Sequence, residues 1–493
     1  MNIIPLFIAI PLGAAFILVL LSKAREVVSD VLVNLVTLCL AILSLVLIVF
    51  LRNHGIFVYT MGRWFPPKGI NLVLDGLSLL MLIVINLIAF FATLYSVSYM
   101  RRFTAKARFY SLFMLMIAGM NGVVLTGDFF NLFVFLEIAS IASYALVAFG
   151  VEAEELEAAF KYMVMSSVAS VLILFSIGLL YGLTGSLNMA DISGIIKGRH
   201  NLLLSFSLIL FLAGFGLKAA IIPFHAWLPD AHPSAPAPIS AMLSGVLIKA
   251  LGIYTITRIF FNVYGMSIQL SWVLLILGII SMIGGGLLAI RQSDFKRLLA
   301  YSSISQIGYI LVGLGCGNYW GIVGALFHLF NHATFKSLLF LNSGAVEYST
   351  GTRKLEEMGG LSKVMPVTGA TSTIGCLSIS GVPPFNGFWS KLFIIIGLIQ
   401  AGHLVLTVLT VLVSVLTLAY YLKVQRFAFF GRLNEKWTQI KEVPGIMCIS
   451  MIVLAIVCIS AGILFYPLMK VILDPAVAVL QEGTKYSVLI LGG

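Results

Sequence analysis

Apolar runs of about twenty residues follow one another almost from end to end of this 493-residue chain, and that leaves few folds open. A hydrocarbon core ~30 Å thick is crossed by a helix of ~20 apolar residues, with its backbone bonds closed inside the segment. Hydrophobic residues make up 60% of the chain and charged residues only 10%, against roughly 25% charged in soluble domains. We therefore read one all-α polytopic membrane protein with about fourteen transmembrane helices rather than several soluble domains. The opening segment, residues 1–23, lacks a basic start and its apolar run is long for a signal peptide, so it is read as a retained first span.

Two proline clusters interrupt the pattern. The seventh span runs into IIPFHAWLPDAHPSAPAP (221–238), and the long stretch near 366–402 is cut by GVPPFNG (381–387). Both predict helices broken at membrane depth, where freed backbone groups line a hydrated cavity. An internal echo places the breaks in a pattern: EAAFKYMVMSS (157–167) is similar to HATFKSLLFLNSG (332–344), and IIPFHAW (221–227) to PPFNGFW (383–389). Each pair links spans five apart, and an odd separation reverses orientation in the membrane. The chain is thus expected to hold two inverted five-helix repeats, with broken seventh and twelfth helices. The expected divisions are 1–108, a three-helix segment; 109–265, the first repeat; 266–430, the second; and 431–493, the last span and tail.

The net charge of +11 invites a search for anionic partners. Its distribution fits topology instead, because Arg101, Arg102, Lys106, Arg108, Arg291, Lys296, Arg297, Lys423, Arg426 and Arg432 fall in loops after odd-numbered spans. The positive-inside rule then puts those loops in the cytoplasm and both termini outside, in a multi-pass cell membrane protein. Cys39, Cys316, Cys376, Cys448 and Cys458 are scattered without CxxC or Cys/His spacing, so metal, cluster and disulfide readings are poor. With no glycine-rich phosphate loop there is no nucleotide motif, and no cofactor or nucleic acid is expected.

Five lysines interrupt the apolar runs: Lys161, Lys218, Lys249, Lys336 and Lys391. Glu137 is the carboxylate read as lying equally deep. An intramembrane charge costs roughly 2.5–3.5 kcal/mol on insertion scales, so a series of one sign points to use. Burial disfavours an ammonium and a nearby carboxylate favours it, so the hold of Lys218 on its proton would follow the approach of Glu137. Lys249 lies too deep to snorkel, and Lys391 follows the second break. His328, His332 and Lys336 are spaced i, i+4, i+8 along one helical face, a polar stripe rather than a metal site. His225 and His232 sit in the first break, and histidine suits proton relay because its ordinary pKa is near 6.5. Lys161 follows an acidic loop and reads equally as an interfacial charge. Asp75 and Asp128 read as interfacial caps.

Five strings together resemble the antiporter-like membrane subunits of respiratory complex I, Mrp-type cation/proton antiporters and membrane-bound hydrogenases. They are GDFFNLFVFLEIASIASY, GLKAAIIPFHAWLPDAHPSAPAPISAMLSGVLIKALGIY, DFKRLLAYSSISQIGY, LFHLFNHATFKSLLFLNSGAV and SGVPPFNGFWSKL. The resemblance implies a charged axis: the family's fifth-span Glu falls on Glu137, its seventh-span Lys on Lys218, its central Lys on Lys249 and its twelfth-span polar group on Lys391. Lys391 stands apart from complex I members with Glu there, and no lateral helix is expected after the last span. The D-type Mrp subunit or its hydrogenase counterpart is the nearest fit. The function implied is proton translocation or Na+/H+ antiport with other membrane subunits, with any redox chemistry left to those partners. A passive anchoring subunit is the alternative, and the moving ion, H+ or Na+, stays open.

Overall fold

The computed structural model describes residues 3–21, 26–199 and 201–491, so the ends of the expected first span, residues 1–2 and 22–23, and the last two residues lie outside it. Helices dominate. In chain order they are α1 (Leu6–Leu20), α2 (Glu26–His54), α3 (Gly76–Tyr99), α4 (Lys106–Leu125), α5 (Phe129–Val147), α6 (Ala153–Thr184), the short α7 (Met189–Ile196), α8 (Leu202–Ala219) and α9 (Leu228–Ser234). Then come α10 (Ala237–Val263), α11 (Ile268–Ile290), α12 (Phe295–Gly315), α13 (Tyr319–Thr350), α14 (Pro366–Ser380), α15 (Asn386–Gln400), α16 (Leu404–Phe429) and α17 (Gly445–Ile463). Two short helices, α18 (Asp474–Gln481) and α19 (Tyr486–Leu491), close the chain. An antiparallel hairpin, β1 (Phe57–Thr60) and β2 (Asn71–Leu74), pairs Phe57 with Leu74.

Among the described residues, 11 helices are long and apolar enough to cross a membrane. Their faces show the solvent they are built for. In α2 the outward side chains Val31, Leu35, Leu38, Ile42, Leu45 and Val49 recur at helical spacing, while Ser29, Thr37 and Ser44 turn inward. That reverses a water-soluble helix: lipid accepts the apolar face, and polar groups are bonded between helices. Thr37 Oγ1 lies 3.0 Å from Thr93 Oγ1 of α3. α10 is buried along its length and α12 nearly so, and these form the centre around which α2, α11 and α16 are peripheral.

Local chemistry sets the helix ends. Asp75 begins α3 with a reciprocal cap, accepting from Ser78 N at 2.8 Å while Ser78 Oγ accepts from Asp75 N at 2.8 Å. Asp128 and Asp294 cap α5 and α12 through Asn131 N and Arg297 N. Beside those caps the same backbone bonds recur. Phe129 N donates to Leu187 O and Met189 N to Gly127 O, while Phe295 N donates to Arg353 O and Leu355 N to Ser293 O, all at 2.9 Å. The proline clusters interrupt helices as expected. α8 stops with Ala220 left-handed (φ 54) and Ile221 N bonded to Gly216 O; α14 stops with Gly381 left-handed (φ 80) and Val382 N bonded to Leu377 O. A proline follows each within three residues and blocks continuation.

The tail is tied to the bundle by charge. Arg258 Nη2 lies 2.8 Å from Asp75 Oδ2, the Tyr486 hydroxyl donates to the same carboxylate, and Asn262 Nδ2 donates to Val479 O at 2.7 Å. Asp75 is thus a cap, as expected, and also one half of a buried ion pair.

Candidate functional site

Three helices build the first charged group. Glu137 and Ser140 stand one turn apart on α5, Ser166 and Ser170 one turn apart on α6, and Lys218 is in the last turn of α8. The Lys218 ammonium donates to Ser166 Oγ at 2.5 Å and Ser140 Oγ at 2.9 Å, while Glu137 Oε1 lies 3.8 Å away and accepts from the Ser170 hydroxyl. Charge attraction therefore joins the pair without a direct hydrogen bond, and serines hold both partners. Glu137 is less buried than its partner, its side chain 29% exposed against 2% for Lys218. α5 lies at the edge of the bundle and turns the carboxylate toward it.

Lys249 is fully buried in the centre of α10. Its ammonium donates to Ser244 O at 2.6 Å and Gly245 O at 2.7 Å, carbonyls of the preceding turn. Two consecutive π-helical turns, Leu243–Leu247 and Lys249–Ile253, widen the helix there and leave carbonyls free to accept. Such turns are rare and concentrate at functional sites. Gly252 brings the first group alongside: a Cβ there would meet Ala219 Cα at 2.6 Å, so only glycine lets the end of α8 touch the Lys249 turn.

The row continues on α13. Lys336 donates to Leu299 O (2.6 Å), Ser302 Oγ (2.9 Å) and Tyr421 OH (3.1 Å), and His328 bonds Gln306 and Ser390. The His328 and His332 rings lie 6.4 Å apart, and the Phe340 ring, 5.4 Å from that of His232, also faces the Lys336 ammonium at 5.9 Å. Lys391 donates to Ser414 Oγ (3.0 Å) and Ser380 O (3.4 Å) and lies over the Tyr309 ring. Among the described residues Lys249, Lys336 and Lys391 have no carboxylate partner; carbonyl and hydroxyl oxygens hold them. Both ring nitrogens of His232 and of His332 are buried and unbonded, so these sites call for water. His225 is half-buried, and its Nδ1 is likewise buried and unbonded.

Lys161 parts from the others. Its side chain is 46% exposed and pairs with Glu157 and Asp230 at the surface. Lys161→Ala is expected to leave translocation at the native rate, measured as pH-gradient formation in everted vesicles. Two lysines assigned to loops are in fact buried: Lys106 pairs with Asp30 at 2.8 Å and Lys296 with Glu347 at 2.8 Å. No local signal marks them, since each partner comes from a distant helix. Above Lys296 a polar cavity of about 450 Å³ is lined by Arg102, Glu152, Glu154, Asp294 and Arg353, and by Pro233–Pro236, which follow directly on His232.

The family described as NADH:quinone oxidoreductase/Mrp antiporter, TM matches residues 126–417, and the one described as NADH-Ubiquinone oxidoreductase (complex I), chain 5 N-terminus matches 64–110. The chain belongs to the NADH:quinone oxidoreductase/Mrp antiporter membrane family. The resemblance drawn from the five strings is borne out. The N-type subunit of the NADH-quinone oxidoreductase of Desulforudis audaxviator is 36% identical over 423 residues, 82% of this chain and 84% of that protein. The D-type subunit of the Na(+)/H(+) antiporter of Alkalihalophilus pseudofirmus is 32% identical over 493 residues, 98% of this chain and 100% of that protein. A chain in the structure of the Mrp complex from a Dietzia species superposes with a TM-score of 0.94 at 27% identity, covering 100% of both chains. Membership in this family makes the chain a multi-pass membrane protein, as its apolar spans require.

Proposed function

We propose that this chain is the ion-translocating subunit of a multi-subunit membrane complex, moving protons or exchanging Na+ for H+ with other membrane subunits beside it. One observation carries the reading: a row of buried ammonium groups, Lys218, Lys249, Lys336 and Lys391, held by neutral oxygens and ending beside a single carboxylate. A structural role would pair such charges, since unpaired buried charge is costly. Protons enter through the polar cavity above Pro233–Pro236, reach Lys249 by way of His232 and water, and pass through His332 and His328 to Lys391. Glu137 acts on this row through Lys218. At an effective dielectric near 20, unit charges 4 Å apart interact by about 4 kcal/mol, and about 1.4 kcal/mol shifts a protonation equilibrium tenfold. Exposure of Glu137 screens part of that, yet the margin suffices for a switch.

The finer architecture follows. We count α1, α13 and the α14–α15 pair as spans beside the 11 apolar helices, giving fourteen, with both termini outside. The repeated backbone bonds at Asp128 and Asp294, and the matching stops at Ala220 and Gly381, support two inverted repeats over 109–265 and 266–430, flanked by 1–108 and 431–493.

The test is removal of the switch. Glu137→Ala and Lys218→Ala each abolish pH-gradient formation in everted vesicles while the complex assembles normally. Retained transport in both variants would sink the proposal.

A further inference from the structure

Most buried polar atoms without hydrogen-bond partners fall in two places. Along the lysine row they are nitrogens: both of His232, both of His332, Gln306 Nε2 and Asn342 Nδ2. At the second helix break they are oxygens: Asn331 Oδ1, Asn386 Oδ1 and Ser378 Oγ. These three residues come from α13, α15 and α14, and all are fully buried.

Hydrogen bonds join the two asparagines, and the Ser378 backbone adjoins them at Gly387. Asn331 Nδ2 donates to Asn386 O at 2.9 Å, and Asn386 Nδ2 donates to Thr334 Oγ1 at 3.3 Å. Both amide nitrogens are thereby engaged, and each side-chain oxygen is left as a free acceptor. The Cys458 thiol of α17 lies 3.8 Å from Thr334 Oγ1 and against Ser378. The two half-helices meet at Gly387, where an added Cβ would collide with the Ser378 carbonyl oxygen. Glycine is required there.

The chemistry of this patch selects a ligand. α14 ends at Ser380, whose carbonyl already accepts from Lys391 and Ser414, so the side-chain oxygens are what the break leaves free. The free donors are neutral oxygens, which suit hard cations rather than thiolate- or imidazole-binding metals. No carboxylate belongs to the network, and Lys391 stands five residues beyond Asn386, so a divalent ion would lack compensating charge. Broken half-helices with unwound carbonyls are a general means of coordinating Na+ in membrane transporters. We propose that Asn331, Asn386 and Ser378 form a weak monovalent-cation site, taking Na+, at the break between α14 and α15. Binding stands on this geometry alone. Its role as the counter-ion site of an antiport cycle rests on the ion-translocation reading above.

Radioactive sodium binding to the purified intact complex, with sodium chloride as the sole probe, tests it. Ser378→Ala is expected to raise the half-saturating Na+ concentration about tenfold, a loss of roughly 1.4 kcal/mol. Asn386→Asp, which adds a charge of the right sign, lowers it. Glu137→Ala leaves sodium binding unchanged even though it stops translocation, which separates the two proposals. Saturable sodium binding identical in native, Ser378→Ala and Asn386→Asp complexes overturns the site, as does the absence of saturable binding in the native complex; the oxygens are then hydrated only. Melting temperatures within a degree or so of native for both variants exclude misfolding as the cause of a shift.

Discussion

Lys249→Ala is expected to slow pH-gradient formation by a factor of about 10²–10⁴, the scale on which a positioned proton carrier contributes. Lys249 sits at the middle of the row, with Ala219, the neighbour of Lys218, packed against its turn at Gly252. Its ammonium bonds only carbonyls of its own helix, so removing it breaks no hydrogen bond between helices. Lys249→Met provides the control: it refills the volume without the charge and should fail equally, whereas a cavity effect would be repaired. Initial rates in everted vesicles, with native-gel assembly in parallel, measure both. Coupled activity at normal stoichiometry in either variant would favour the passive anchoring role.

Arg258→Ala is expected to destabilise the protein by about 3–5 kcal/mol, because it strands a carboxylate in the interior. Asp75 is fully buried, and Arg258 is its only ion-pair partner among the described residues. Replacing both, as Asp75→Leu with Arg258→Met, should cost far less, since two buried charges exchanged for apolar groups of similar size are near neutral. Tyr486→Phe removes one hydrogen bond to the carboxylate and should cost roughly 1.5–3 kcal/mol. Thermal unfolding of the detergent-solubilised complex ranks the three. Equal losses for the single and double variants would show that the pair is not the source of the penalty.

Much of the candidate site was legible in the sequence because lysine is conspicuous in an apolar run. Lys218, Lys249, Lys336 and Lys391 are all buried as expected, while Lys161 is surface-paired, the outcome its acidic surroundings had left open. The face shared by His328, His332 and Lys336 follows from spacing alone. Burial did not follow. Glu137 sits in an apolar string yet reaches the edge of the bundle, and Lys106 and Lys296 sit in basic stretches yet are buried.

By itself the sequence determined that apolar helices build the chain and where two of them break. The bilayer makes those local questions: each span must close its own backbone bonds, and prolines interrupt them wherever they fall. Tertiary structure alone decided partners. Asp30 reaches Lys106 from 76 positions away and Asp75 reaches Arg258 from 183, distances over which no periodicity speaks. The same holds for the neutral oxygens at the second break, where Asn331, Ser378 and Asn386 become one patch only because three helices converge there.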